Sequence, residues 1–134
     1  MIKTYKGSCH CGNVRFEADI DFTEGTSRCN CSICSKQRYW GTTVKPDKFR
    51  LLAGEGETTD YQFATKSGHH RFCKTCGVAA YGDGYIKEIG GAYVSINVAC
   101  LDEIDPKTLA ELPVRFMDGR HNNWFNTPEE TRYL

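Results

Sequence analysis

The residues most able to do chemistry in this sequence are its eight cysteines, an unusual number for 134 residues that include only two methionines. Seven of them form three tight clusters, and the eighth, Cys100, stands alone. Disulfides staple distant parts of a chain, whereas cysteines two or three residues apart can bind one metal ion together. The spacing therefore favours metal binding over a disulfide scaffold. The clusters are Cys9 and Cys11, then Cys29, Cys31 and Cys34, then Cys73 and Cys76.

The first and last clusters predict a closed, four-coordinate zinc site. Zinc with Zn–S bonds of about 2.3 Å places its sulfur ligands about 3.8 Å apart. Cys-x-x-Cys reaches that separation by folding into a knuckle, and Gly77 after Cys76 permits the sharp backbone. Residues i and i+2 of an extended segment share a face, so Cys9 and Cys11 can converge where the strand bends at Gly12. Four thiolates leave no open position, so we expect a structural ion that contributes folding free energy. Free core cysteines are the alternative.

The middle cluster predicts a second metal site of a different kind. Cys29, Cys31 and Cys34 place three thiols within six residues, and a curled loop would bring them together. Three protein ligands are typical of a catalytic zinc, which keeps one position for water or substrate. The alternative is a closed structural site, completed by a fourth ligand from elsewhere in the fold. The residues able to supply that ligand are Cys100, His69, His70 and His121.

An open zinc held by three thiolates indicates chemistry on sulfur. Such an ion is soft, so it favours a further thiolate in its free position. A thiol bound there loses its proton and is held as a nucleophile at neutral pH, and the ion can also polarise a carbonyl group. These properties favour making or breaking a carbon–sulfur bond between a thiol and an aldehyde. The site's net negative charge would be offset by Arg28, Lys36 and Arg38.

The segments between the cysteines must position them, and their pattern predicts a mainly β fold. Apolar and polar residues alternate, or β-branched and aromatic residues accumulate, in several short runs. Only residues 106–112 read as a helix, with Asp105 as N-cap and Pro106 in the first turn. Short strands without helices between them predict antiparallel sheets. The strand runs are residues 14–20, 39–44, 49–53, 59–63, 94–98 and 114–117.

Length and charge limit the classes of protein to which this chain can belong. The 134 residues suit one domain, spanning 1–134, and 17 basic residues balance 17 acidic ones. This balance argues against binding to nucleic acid or to a membrane surface, and no run approaches the roughly 20 apolar residues of a membrane span. The first residues lack the apolar core of an export signal, so we expect a cytoplasmic protein with reduced thiols.

Five segments of the sequence resemble the glutathione-dependent formaldehyde-activating enzyme / centromere protein V family. The resemblance covers nearly the whole chain and implies an Mss4-like, or β-tent, zinc fold of several antiparallel sheets. It also implies that Cys9, Cys11, Cys73 and Cys76 hold a structural zinc, and that Cys29, Cys31 and Cys34 hold the catalytic one. The segments are GSCHCG at 7–12, CNCSIC at 29–34, HRFCKTCG at 70–77, NVACLD at 97–102 and FMDGR at 116–120.

The resemblance implies a carbon–sulfur lyase that joins glutathione and formaldehyde, or separates them, as S-(hydroxymethyl)glutathione. We therefore expect an enzyme with two zinc ions and a thiol–aldehyde adduct as its small-molecule substrate. A zinc-binding scaffold without catalytic activity is the second hypothesis, because one fold can host both enzymes and binding proteins. A redox role through thiol–disulfide exchange is the third.

Overall fold

The computed structural model describes residues 1–134 as ten strands and two short helices. The mainly β character predicted from the sequence is confirmed. The strands are β1 (Lys3–Ser8), β2 (Arg15–Ile20), β3 (Thr26–Cys29), β4 (Gly41–Val44), β5 (Phe49–Ala53), β6 (Thr58–Tyr61), β7 (Gly68–Cys73), β8 (Tyr81–Ile86), β9 (Gly91–Asn97) and β10 (Val114–Met117). The helices are α1 (Ser32–Gln37) and α2 (Pro106–Glu111).

The strands form two sheets. The smaller is antiparallel with the order β1-β2-β5, and its central strand buries Phe16, Ala18 and Ile20 on one side. The larger has seven strands in the order β10-β3-β4-β9-β8-β7-β6. Its pairs are antiparallel apart from β10 and β3, which run parallel, so the expectation of purely antiparallel sheets needs that one amendment. β10 follows α2 in the chain and pairs with β3 from Val114 opposite Thr26 to Met117 opposite Cys29.

The hydrophobic core lies between the two sheets, and contacts between aromatic rings connect one sheet to the other. Phe16 of the small sheet is fully buried, and its ring centroid lies 5.4 Å from that of Phe49. Phe49 in turn lies 4.9 Å from Tyr81 of the large sheet. Val94 and Ile96 of β9 are buried beside Tyr81, which shows that this face of the large sheet points to the core.

The opposite face of the large sheet carries little side-chain bulk in its centre. Residues paired directly across antiparallel strands point to the same side, and the side alternates along each strand. Two cross-strand rows therefore lie on the side away from Ile96. We call this side the glycine-rich face and define it by Gly68, Gly84 and Tyr93 in one row and His70, Gly82 and Ser95 in the next.

Two helices are present where the sequence predicted one. The expected helix near 106–112 is α2, which begins with Pro106 after Asp105 at the N-cap position. The other, α1, occupies a stretch interpreted as a curled loop, and the left-handed Arg38 ends it with a backbone N–H bond to Cys34. Six residues are too few to show a helical period, which explains why the sequence pattern did not reveal it.

Candidate metal centres

Four cysteines from two turns meet at one point of the fold. Cys9 follows β1 and Cys11 lies in the turn before β2, whereas Cys73 ends β7 and Cys76 lies in the turn behind it. Their sulfur atoms all lie within 4.8 Å of one another. The Sγ atoms of Cys9 and Cys11 are 3.7 Å apart, and those of Cys11 and Cys73 are 3.6 Å apart. These separations match the roughly 3.8 Å expected around a tetrahedral zinc, so this group could bind a metal ion.

Backbone geometry prepares this four-cysteine site. Gly12 and Gly77 both have positive φ angles, 83° and 78°, which allow the two turns that a side chain would strain. Backbone N–H groups of Thr75 and Cys76 donate to the Sγ of Cys73. Such bonds stabilise a thiolate, and they lower the pKa of Cys73. The pKa of Cys76 is likewise lowered to about 6, first by a bond from a backbone N–H of Cys11.

The three-cysteine cluster lies at the start of α1. Cys29 ends β3 and is buried, whereas Cys31 and Cys34 are half-buried at the N-cap and in the first turn of α1. The neighbouring Cys29, and then Cys34, lower the pKa of Cys31, and the backbone N–H of Cys31 donates to the Sγ of Cys29 over 3.4 Å. The same two neighbours, Cys29 first and then Cys31, raise the pKa of Cys34. The three thiols are thus mutual neighbours, yet they do not form a group as compact as the four-cysteine site.

A buried polar network fixes the cysteine loop from behind. Asn30 is 3% exposed, and its side-chain amide donates to the carboxylate of Asp118 over 2.8 Å. The backbone N–H of Arg120 donates to the Asn30 side-chain oxygen over 2.9 Å. Asp118 also binds the Nδ1 of His121, and these bonds, with Asn30 first, lower its pKa. Sequence reasoning missed this network; its only signal was a polar residue placed between two candidate ligands.

Gly119 brings this network up against the cysteine loop. A Cβ atom built on Gly119 would lie 2.7 Å from the Sγ of Cys29 and 2.4 Å from the ring of Trp124. Only a residue without a side chain fits between them. The segment 118–120, which resembles part of the family pattern, therefore acts as a support for Cys29 as well as a turn.

The four residues proposed as a fourth ligand lie in different places. Cys100 is buried in the core, and its pKa is raised to about 11 by burial and then by nearby charges that include Cys9 and Cys76, which places it by the four-cysteine site. His69 binds the carboxylate of Asp60 over 2.6 Å, and His121 is held by Asp118. Burial lowers the pKa of His70, and the charge of Cys31 acts in the opposite direction.

The basic residues expected to offset the site's charge are only partly in place. Arg28 precedes Cys29 in β3, so its side chain points to the opposite side of the sheet. There it lies 5.2 Å from the centre of the Trp40 ring and donates to the backbone carbonyl of Arg38 over 3.4 Å. Burial, followed by repulsion from Arg38, lowers the pKa of Arg28. Arg28 therefore contacts Trp40 rather than the thiols.

A prominent surface hollow does not coincide with either cluster. It has a volume of about 550 Å³, and its lining includes Lys66, His69, Asp83 and Tyr93. None of its lining residues is a cysteine. The arrangement of the thiols, and not this hollow, therefore identifies the candidate site. In addition, neither helix is long or apolar enough to cross a membrane.

Fold and site together define a mainly β protein built around a four-thiol centre suited to a metal ion. Residues 4–116 match the family model of the glutathione-dependent formaldehyde-activating enzymes. This match covers most of the chain, and the chain belongs to that family. The suspected family is thus confirmed.

The similar proteins include one curated relative and one solved structure. A Halomonas elongata protein with the provisional name glutathione-dependent formaldehyde-activating enzyme is 34% identical over an alignment of 84 residues, and the match covers 57% of this chain and 54% of that protein. The chain thus spans about half the length of this curated relative. A crystal structure of a Rhodobacter sphaeroides protein is 32% identical with a TM-score of 0.69, and the match covers 82% of this chain and 99% of that one.

Proposed function

We propose that this protein is a zinc-dependent carbon–sulfur lyase acting on a thiol–aldehyde adduct, with glutathione and formaldehyde as the leading pair. Cys9, Cys11, Cys73 and Cys76 would hold a structural zinc. Cys29, Cys31 and Cys34 would hold a second zinc with one open position. The observation that supports the proposal is a loop with three cysteines that is pinned by Asn30, in a chain of this family.

The proposed reaction balances without any oxidant or reductant. In one direction the sulfur of a thiol bonds to the carbonyl carbon of the aldehyde, the carbon–oxygen π bond breaks, and the thiol proton ends on the new hydroxyl oxygen. In the other direction the carbon–sulfur bond breaks and the hydroxyl proton returns to sulfur. A zinc ion with an open position would supply a Lewis acid and a site that favours thiolates.

This chain's own residues would set the geometry for that chemistry. Cys29 is fixed between β3 and the close approach of Gly119, which limits where its sulfur can move. Cys31 is the thiol of this cluster whose pKa is lowered, first by Cys29 and then by Cys34. Asn30 keeps the loop closed through its bond to Asp118. The proposal further places the protein in the cytoplasm, where thiols stay reduced.

The test compares Cys31→Ser with Cys100→Ala, since Cys100 belongs to neither cluster. We expect Cys31→Ser to lose one of two zinc equivalents and to lower turnover of glutathione and formaldehyde by at least about 100-fold while the fold persists. Cys100→Ala should retain both zinc ions and its activity. The measurements are metal analysis, circular dichroism and an assay of adduct formation. Unchanged turnover in Cys31→Ser would reject the proposal.

Cys73→Ser provides the complementary test of the structural site. It removes one of four ligands that join two turns, so we expect loss of the fold rather than loss of activity alone. A folded Cys73→Ser protein with a single zinc would show that the four-cysteine group does not hold the structure together.

A zinc scaffold without catalytic activity is the second candidate function. It is favoured by one observation: the three thiols are less compact than the four-cysteine group. In that case the purified protein would contain one zinc equivalent, or a second zinc with four protein ligands. X-ray absorption spectroscopy of the zinc-loaded protein distinguishes these cases, because an open site adds an oxygen or an external sulfur to three cysteine sulfurs.

A further inference from the structure

The glycine-rich face places backbone, rather than side chains, at the centre of the large sheet. A Cβ atom built on Gly82 would lie 2.6 Å from the backbone oxygen of His69. One built on Gly84 would lie 2.6 Å from the backbone oxygen of Ser67 and 2.7 Å from the hydroxyl of Tyr93. Side chains at these two positions would collide with their neighbours. The space beside Gly82 and Gly84 is therefore already occupied. Gly68 has more room, since the nearest atom lies 3.6 Å from a Cβ atom built there, and it forms a shallow floor.

Two polar side chains border this floor with their polar atoms unused. The ring nitrogens of His70 and the hydroxyl of Tyr93 make no hydrogen bond within the protein, and hydrogen bonds do not contribute to the pKa shift of either group. No fully buried polar side-chain atom lacks a partner in this structure, so these atoms are reachable by solvent. By contrast, a ring nitrogen of His69 is hydrogen-bonded to the carboxylate of Asp60, and the hydroxyl of Tyr39 is hydrogen-bonded to the hydroxyl of Ser95.

Packing holds both rings in place although their polar atoms are free. The His70 ring stacks on Phe63, with centroids 5.3 Å apart and planes 24° apart. The Tyr93 ring lies against Gly84. The Nε2 of His70 and the hydroxyl of Tyr93 both point to Gly68, at 3.7 Å and 3.6 Å from a Cβ atom built there. Two fixed polar groups therefore converge over one glycine.

The three-cysteine cluster lies along the same face. The backbone N–H of Tyr39 donates to the carbonyl of Cys34 over 3.1 Å, and the Tyr39 ring covers Gly41. The Tyr39 hydroxyl lies 3.1 Å from the Ser95 hydroxyl. Ser95 begins the row that continues through Gly82 to His70. This chain of contacts runs from the end of α1 to His70.

Electrostatic effects agree with this placement. Although burial is the larger effect in both cases, the charge of Cys31 acts on the pKa of His70, and that of Cys34 acts on the pKa of Tyr93. His70 and Tyr93 therefore lie within electrostatic range of the three-cysteine cluster.

We propose that His70 and Tyr93 are substrate-binding residues that hold the polar groups of a thiol–aldehyde adduct over the floor formed by Gly68. The proposal rests on the proposed function and adds the residues that orient the substrate. His70 Nε2 and the Tyr93 hydroxyl bind the adduct's hydroxyl group or the amide groups of its thiol portion.

The test uses variants that remove one hydrogen-bonding group and leave the packing intact. Tyr93→Phe keeps the ring against Gly84, and its control is Tyr85→Phe, whose ring is largely exposed. His70→Ala removes the imidazole, His70→Gln restores a polar group, and His69→Ala is the control. Each zinc-loaded protein is assayed with glutathione and formaldehyde, alongside metal analysis and thermal unfolding.

We expect Tyr93→Phe and His70→Ala to raise the KM for glutathione about 3- to 10-fold with little change in kcat, as loss of a hydrogen bond to the substrate predicts. His70→Gln should recover part of this loss, and every variant should retain its zinc. Wild-type KM values in both variants of an active enzyme would overturn this inference and leave the proposed function intact. An inactive, fully zinc-loaded wild type would overturn both.

Discussion

At the scale of single residues, Asn30 is as informative as the cysteines on either side of it. Its side chain is buried and joined to Asp118 and to the backbone of Arg120, 88 and 90 residues further along the chain. The loop that carries three thiols is therefore held by distant residues and not by its own turn alone.

Asn30→Ala should weaken the second metal site. It removes both bonds and leaves a buried carboxylate with fewer partners, a change that costs roughly 1–3 kcal/mol. We expect a lower Tm and preferential loss of one zinc equivalent, measured by thermal unfolding and metal analysis. The control is Asn13→Ala, because the exposed side chain of Asn13 makes its one hydrogen bond to Thr75, next to the four-cysteine site. Equal zinc retention in the two variants would contradict this role of Asn30.

Asp19, in β2 of the small sheet, should make the free energy of unfolding depend on pH. Arg50 donates two hydrogen bonds to its carboxylate, at 2.8 and 3.1 Å, and Thr4 donates a third. These bonds, with those of Arg50 first, lower the pKa of Asp19. A carboxylate with a depressed pKa stabilises the folded state above its ordinary pKa of about 3.9, and this contribution is lost as the pH falls toward the folded value.

The measurement is the difference in unfolding free energy between wild type and Asp19→Asn, obtained with urea. We expect the wild type to be the more stable by a constant amount from pH 5 to 8, and the difference to shrink below about pH 4. Release of zinc in acid affects both proteins and cancels in the difference. Glu130→Gln is the control. Arg132 lowers the pKa of Glu130 to about 2, but the two residues are only two positions apart, so their pair joins no distant parts of the fold. A stability advantage of the wild type that grows as the pH falls would contradict the expected direction.

At the scale of elements, prediction from sequence succeeded where a short run of alternating, aromatic or β-branched residues marks the strand. β5 and β10 have the predicted bounds, and β2 differs from its predicted run by one residue. β1, β3, β7 and β8 were missed because polar residues and glycines interrupt their alternation. Those strands carry the candidate site, where side chains serve contacts other than the core. Predicting them requires knowledge of their neighbours in the sheet.

Phe16 of β2 should be the most sensitive contact between the two sheets. It is fully buried and stacks on Phe49, and its ring occupies the space that a side chain at Gly7 would need. Phe16→Leu leaves part of this volume empty, and we expect a loss of about 1–3 kcal/mol in unfolding free energy. Phe125→Leu, at a ring that is 81% exposed, should change it by less than about 0.5 kcal/mol. Equal effects in urea denaturation would argue against a core centred on Phe16.

At the scale of the whole molecule, the four-cysteine group joins the two sheets. One of its pairs lies between β1 and β2 of the small sheet, and the other follows β7 of the large sheet. Ser8 and Asp102 add a hydrogen bond of 2.7 Å near the same junction. The buried hydrophobic cluster contains only 12 residues, so a metal cross-link would supply much of the stability.

Removal of metal should therefore occur in two steps with different consequences. A moderate chelator should take the zinc of the open site and abolish activity without unfolding. A strong chelator should take the second zinc and unfold the chain, since a structural zinc contributes about 10–16 kcal/mol against a domain stability of about 5–15 kcal/mol. Zinc release and circular dichroism are followed together. Cys31→Ser should show only the second step, and a fold that survives loss of all zinc would contradict the structural role.

The sequence by itself determined the grouping of the cysteines and the mainly β fold, because both follow from spacing along a few neighbouring residues. It also predicted that Cys9 and Cys11 would meet Cys73 and Cys76, and the structure places these sulfurs together. Only the tertiary structure decided that His70, and not His69, lies on the glycine-rich face with Ser95, and that Asp118 supports Asn30. These relations depend on strand register and on the parallel pairing of β3 with β10, in which residues far apart in the chain become neighbours through backbone hydrogen bonds.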